Sequence, residues 1–201
     1  MRALRIALQA TLVTLVLTGL LYPLAMTGAA RVLFPSASAG SLVTDGKGQV
    51  VGSSLIGQAT TNPAYFQGRP SAAGNGYDAT SSGGSNLGPT SQKLHDRAAT
   101  EVARLRKENP EAPLPIPGDL VAASASGLDP HLSPAATTWQ APRIARARGL
   151  AVARVRQLVE DRTEGRQFGL LGEPRVNVLE LNLALDRQFG APAVARPTAV
   201  N

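Results

Sequence analysis

Cysteine is absent from the 201 residues, which excludes a disulfide framework and any thiolate metal site. Histidine is nearly absent too: His95 and His131 stand alone, without a second ligand at metal-binding spacing, so metal catalysis has no donor set. Aromatic residues make up 4% of the chain and Trp139 is the single tryptophan. That is too little for the stacking platform that holds single-stranded nucleic acid, and nucleic acid is excluded as a partner. The phosphate-loop pattern G-x-x-x-x-G-K-[ST] does not occur, so Gly46-Lys47-Gly48 reads as a turn, and the G-x-S-x-G elbow of serine hydrolases is missing as well. Ser124, Ser126 and Ser133 near Asp129 and His131 offer the residue types of a triad. Proximity along a chain does not make its geometry, and such residues more commonly turn the backbone.

Charge is missing from residue 6 to residue 30, a run closed by Arg5 on one side and Arg31 on the other. At about 1.5 Å per residue this gives roughly 37 Å of helix, more than the ~30 Å hydrocarbon core of a bilayer. A cleaved secretory signal is the competing reading, with Arg2 and Arg5 as its basic region and Ala37-Ser38-Ala39 as a small-x-small cleavage site. Signal cores span about 7 to 15 apolar residues, so the length favours a retained anchor. Pro23 lies in the distal third, where a membrane helix tolerates it as a kink. Arg2, Arg5 and the terminal amine outweigh Arg31, which predicts a cytoplasmic N-terminus and a domain outside.

The anchor is assigned to residues 1–31, a short stalk to 32–40, a soluble domain to 41–189 and a flexible tail to 190–201. Leu42-Val43 and the stretch from Gln49 to Gln58 are β-like, with Asp45-Gly46-Lys47-Gly48 as the turn of a hairpin. Residues 62–91 are crowded with Gly, Ser, Asn and Pro, yet Tyr65, Phe66, Tyr77 and Leu87 are spaced through them. Those anchors predict an ordered, packed loop and not a linker. Leu94, Ala98, Val102 and Leu105 recur at helical spacing between Ser91 and Asn109-Pro110. Ser133-Pro134 opens a helix that runs to Gly149, with a bend or break expected at Pro142, and a further helix carries Leu150, Val155, Leu158 and Val159. Between residues 176 and 189 the leucines alternate as in a strand, while Val178, Leu181 and Leu185 fit one helical face. Asn177 with Glu180 resembles a capping box and tips the reading to helix. The fold class is α+β: a single N-terminal transmembrane helix followed by one mixed α/β extracytoplasmic domain with long ordered loops.

The formal charge is +6, and Arg143, Arg146, Arg148, Arg154 and Arg156 form a stretch with no acid between Pro134 and Val159. A solvated helix face is the first reading, and an acidic partner surface or anionic headgroups the second. An anchored binding module for an anionic ligand or envelope polymer fits the same arginines. Asp129 and Glu173 are loop carboxylates that could attract a cation, though caps and turns use such residues more often.

Five turn-rich blocks stand out: Gly52-Ser53-Ser54-Leu55-Ile56-Gly57-Gln58, Tyr65-Phe66-Gln67-Gly68-Arg69-Pro70-Ser71-Ala72, Ser82-Gly83-Gly84-Ser85-Asn86-Leu87-Gly88, Ala123-Ser124-Ala125-Ser126-Gly127-Leu128-Asp129-Pro130, and Gly172-Glu173-Pro174-Arg175-Val176-Asn177-Val178-Leu179-Glu180-Leu181-Asn182. In this order, after an anchor containing Thr18-Gly19-Leu20-Leu21-Tyr22-Pro23, they resemble the C subunits of Kdp potassium-transporting P-type ATPases, from the anchor through Asp186. The resemblance implies a non-catalytic subunit of a bacterial inner-membrane complex for potassium uptake, held in inner-membrane lipid with A, B and F subunits as partners. There the A subunit selects the ion, the B subunit hydrolyses ATP through a phosphoaspartate, and F stabilises the assembly. The family implies two roles for C. One is a catalytic chaperone that raises the ATP affinity of B in a transient complex, with Ser82, Gly83, Gly84, Ser85 and Gln140 as the nucleotide-associated positions; no cofactor is held stably. The other is a periplasmic stabiliser at the mouth of the ion-selecting subunit, and the arginine flanks favour it, because they put those positions on the face away from cytosolic ATP. Small residues of the anchor, Gly19, Ala25 and Gly28, are expected to pack against neighbouring helices.

Overall fold

The computed structural model describes residues 1–192. The chain divides into two compact units, Met1–Leu42 and the residues from Val43 onward. The part of the expected tail from 193 to 201 lies outside the described residues.

The first unit is helical. Helix α1 (Arg2–Val16) and helix α2 (Tyr22–Leu33) join through one wide turn, Leu17–Leu21, into a run of 32 residues, and none of them is buried within the chain. The kink expected from Pro23 takes the form of this π-turn. Proline offers no N–H and its ring crowds the carbonyl four residues back, so the helix admits one extra residue per turn just before it. The Tyr22 N–H accordingly reaches the carbonyl of Leu17, five residues earlier. Phe34 leaves helical geometry, and a single turn, α3 (Pro35–Ser38), precedes Gly40 and Ser41, both at positive φ.

Strand β1 (Leu42–Thr44), which begins on the last residue of the first unit, and β2 (Val50–Ser53) form the expected hairpin. Asp45 Oδ1 accepts from the N–H groups of Lys47 at 2.8 Å and Gln49 at 3.0 Å, which is why this aspartate nucleates the turn. Helix α4 (Gln92–Glu108) follows its predicted bounds, but of its apolar positions only Leu105 is buried. Helix α5 (Pro134–Arg148) starts where Ser133 Oγ accepts from Ala136 N at 3.1 Å. Its C-terminus is a Schellman closure: Leu150 N reaches Ala145 O at 2.8 Å and Gly149 N reaches Arg146 O at 3.3 Å, with Gly149 at φ +66. Leu150, expected on the next helix, therefore belongs to this cap, and α6 begins two residues later (Val152–Asp161).

No break occurs at Pro142. Helix α5 continues through it because Ala136, Thr137, Trp139, Gln140, Ala141, Ile144 and Ala145 bury the helix on nearly every side, and that packing outweighs one lost backbone bond. Against α5 lies α6, with Val155, Leu158 and Val159 inside, and against α6 lies α7 (Val178–Phe189), with Val178, Leu181 and Leu185 inside. Each fully buried side chain of this size contributes about 1.5 to 3 kcal/mol. Helix was the correct reading of the leucine-rich segment, and Asn177 Oδ1 caps it by accepting from Glu180 N at 3.2 Å. Two residues before it pair first: β4 (Val176–Asn177) runs antiparallel to β3 (His131–Leu132), with His131 opposite Asn177 and Leu132 opposite Val176. The result is a mixed helix and strand domain with an apolar helical run ahead of it.

Candidate functional site: a knot of five loops

Between β2 and α4 the chain has no regular element, yet it is fixed by side chains borrowed from distant helices. Phe66 donates its N–H to Asn182 Oδ1 at 2.8 Å and accepts from Asn182 Nδ2 at 2.9 Å. Gln67 repeats the arrangement with Gln140, N–H to Oε1 at 2.9 Å and Nε2 to its carbonyl at 3.0 Å. A primary amide carries the same donor and acceptor as a peptide group, so Asn182 on α7 and Gln140 on α5 stand in for the neighbouring strand that this segment lacks. The expected ordered loop is thereby observed, with Tyr65 and Phe66 buried.

The five blocks converge on this segment. Asn177 Nδ2 of the fifth donates to Ser54 O of the first at 2.8 Å. Gly57 N donates to Leu128 O of the fourth at 2.8 Å, and a Cβ on Gly57 would sit 2.7 Å from Asp129 O and 2.8 Å from a Tyr77 ring carbon. Ser71 of the second block donates to Gly127 O at 2.6 Å while accepting from Tyr77 N at 2.7 Å. The third block is stitched to the fourth by Gly83 N to Ser126 O at 2.8 Å and Ser82 Oγ to the same carbonyl at 3.0 Å. Gly84 leaves no room for a side chain, since its Cβ would lie 2.8 Å from Ala125 O. At the centre Arg69 Nη1 meets Asp129 Oδ2 at 3.1 Å, and the Tyr77 hydroxyl donates to Arg69 O at 2.5 Å. Burial, reinforced by the Asp129 carboxylate, pushes the Tyr77 phenol up to about 12.

The positions singled out in the sequence fall apart here. Ser82, Gly83, Gly84 and Ser85 belong to the knot; Ser82 is exposed and the other three half-buried. Gln140 is 1% exposed, and besides its two bonds to Gln67 its Oε1 accepts from Arg143 Nη2 at 2.8 Å. The triad types are spent on turns: Ser126 Oγ accepts from Leu128 N at 3.1 Å, and Asp129 Oδ1 accepts from His131 N at 2.9 Å. Asp129 is held by Arg69, and Glu173 by Arg166 Nη2 at 2.8 Å to both carboxylate oxygens. Among the described residues no cluster of His, Asp and Glu could hold a metal ion.

The solvated basic face expected of these five arginines forms only in part: Arg146, Arg154 and Arg156 are exposed, whereas the side chains of Arg143 and Arg148 are not. Arg143 is 3% exposed and donates to Asn109 Oδ1, Pro63 O and Gln140 Oε1, and its burial pushes the guanidinium down to about 10. Arg148 bonds Ala64 O, Gly190 O and Asp186, and lies 4.8 Å from the Tyr65 ring centre. Arg146 pairs with Glu111 at 2.9 Å. Arg143 and Arg148 anchor the loop entering the knot, because the carbonyls of Pro63 and Ala64 there need donors that a guanidinium can supply in a fork.

Two hollows adjoin the knot. One, about 30 Å³, is lined by Gly57, Gln58, Thr60, Gly68, Tyr77 and Asp129, room for a water molecule. The other is an open groove of about 610 Å³, walled by Leu55, Ile56, Arg69, Ser82, Ser126 and Asp129. Leu55 is 63% exposed at its lip. Sequence reading named Arg69 and Asn182 only as members of blocks; the signal for Asn182 was an amide between Leu181 and Leu183 on a buried helix face.

A family model described as K+-transporting ATPase, c chain, matches residues 4–187. A protein named Potassium-transporting ATPase KdpC subunit from Myxococcus xanthus is 64% identical over 191 residues, covering 95% of this chain and 90% of that one. Proteins of the same name from Koribacter versatilis and Rhodospirillum rubrum are 56% and 54% identical over 176 and 189 residues, covering 88% and 94% of this chain and 90% and 97% of theirs.

Proposed function

The chain belongs to the family of K+-transporting ATPase c chains, accessory subunits of a potassium-transporting ATPase that are not catalytic by themselves; from this we propose that it is a single-pass subunit of the inner membrane, N-terminus inside, whose periplasmic domain steadies the ion-translocating subunits through the loop knot. In this reading residues 1–31 are the anchor, 32–40 a stalk and 41–189 the working domain, and the partners are the A, B and F subunits and inner-membrane lipid. The observation that carries it is the cross-linking of the knot. Tyr77, Gln140 and Asn182 bond backbone of other segments and Asp129 pairs with Arg69, whose Nε alone is buried without a partner, and these links make a stiff scaffold. What remains at its surface is the groove with its apolar lip, Leu55 and Ile56, a form suited to receiving a protein segment. The balance of Arg2 and Arg5 against Arg31 supports the orientation.

Protease added to spheroplasts tests the placement. Cleavage of the domain from outside is the expected result; protection there, with cleavage in inverted vesicles, would sink it. A second reading, a chaperone that raises the ATP affinity of the B subunit, draws support from Ser82 and the Arg69 guanidinium on one groove wall. In that reading Ser82, Gly83, Gly84 and Ser85 approach phosphate, while Gln140 acts by holding Gln67. It requires the domain to meet cytosolic ATP, so the same experiment separates the two.

A further inference from the structure

The π-turn of the first unit leaves two backbone acceptors without their usual donors. In an α-helix the carbonyls of Thr18 and Gly19 would accept from the N–H groups of Tyr22 and Pro23. The Tyr22 N–H is turned to Leu17 O, and proline has none. Nearby hydroxyls do not help, because both donate toward the N-terminus: Thr14 Oγ to Ala10 O, and Thr18 Oγ to Thr14 O at 2.7 Å. Thr18 is the midpoint of the uncharged run from 6 to 30. Of the two, Thr18 has lost both possible helical donors, since the residue five positions on is the same proline; if the run spans a bilayer, as the proposed function has it, that acceptor lies where water does not reach, and an unsatisfied group there costs several kcal/mol.

We infer that this π-turn is the docking point for a neighbouring transmembrane helix of the pump, one that brings a hydroxyl or carboxamide donor to the carbonyl of Thr18. Gly19 permits the approach, since a Cβ there would meet only Leu15 Cδ1, at 3.8 Å. Ser, Thr, Asn and Gln are the side chains that bond across membrane helices at acceptable cost, whereas a charged donor at mid-bilayer is far more expensive. A second copy of this chain does not fit the role. Its threonines at this depth are committed upstream, and its Gln9 would lie roughly 14 Å away in depth in a parallel pair. The inference rests on the membrane-spanning reading and adds to it the chemistry of the contact.

The test uses the full chain in bilayers, alone and assembled with the other pump subunits. Thr18-Gly19 and Thr27-Gly28 are its Thr-Gly peptide units, so labelling threonine with carbonyl ¹³C and glycine with ¹⁵N isolates the Thr18 carbonyl, with Thr27 as internal reference. Assembly is expected to move the Thr18 resonance to higher frequency and leave Thr27 in place. A Thr18 signal that does not move, or that already has its hydrogen-bonded position in the lone chain, would overturn the inference in favour of water or lipid. Rapid deuterium exchange at the Gly19 amide of the lone chain would instead remove the span, which identifies failure of the underlying reading. Pro23→Ala, which restores the missing N–H, should lower retention of the partner subunits about three- to tenfold with unchanged membrane insertion. Undiminished retention in that variant would also count against it.

Discussion

Tyr77 holds its phenol inside the loop knot, and burial there gives stability an alkaline limit. The neutral hydroxyl is the form that the fold accommodates, with the folded value pushed up from 10 to about 12. Its contribution is therefore complete below pH 10 and is lost as the pH rises from there through about 12. We expect chemical denaturation to show a fall of about 2 kcal/mol across that window that is missing in Tyr77→Phe. That variant should start about 1 kcal/mol lower, for want of the bond to Arg69 O. An equally steep fall in both proteins would assign the effect to other groups. At this scale the sequence was least legible where charge was concerned. Arg143 looks like any exposed helix arginine until Asn109 and Pro63, far from it along the chain, are known to meet it.

At the level of elements, local signals served well wherever local physics decides. Periodicity and caps gave α4, α5 and α7 their starts, because Ser133 and Asn177 satisfy N–H groups that every helix leaves open. The pair β3 and β4 could not be read, since strands of two residues have no period to detect and exist only through each other. At Pro142 the break that was one of two expected outcomes is absent for the related reason that the proline's tolerance comes from packing supplied by other elements. Asn177 joins both levels, capping α7 while its Nδ2 donates to Ser54 O. Asn177→Ala should cost about 1 to 3 kcal/mol, and Asn177→Asp, which keeps the cap and loses the donor, should fall between it and the native chain in thermal unfolding. Equal losses in the two variants would mean that the cap carries nothing.

For the molecule as a whole, the blocks that carried the resemblance are also the ones that meet in space, although their geometry was hidden by separations along the chain. Gly57 tests how far the domain depends on that meeting. Alanine there must part Gly57 from the backbone of Asp129, which neither side can yield cheaply, and should cost about 1 to 3 kcal/mol. Its denaturant slope should stay native while the partner subunits are retained less well; full retention at lowered stability would detach the knot from assembly.

The amide pairs that register residues 66 and 67 have a kinetic corollary. A strand that slips along its neighbour by two residues remakes its ladder, but a shift of this segment by one residue forfeits both pairs together. Those pairs close loops of 116 and 73 residues. We expect them to form only after α5 and α7 have found their places, since contacts so distant along the chain must first close long loops. The groove beside them therefore acquires its shape only on a finished domain, so an immature copy offers an incoming neighbour no correctly formed seat.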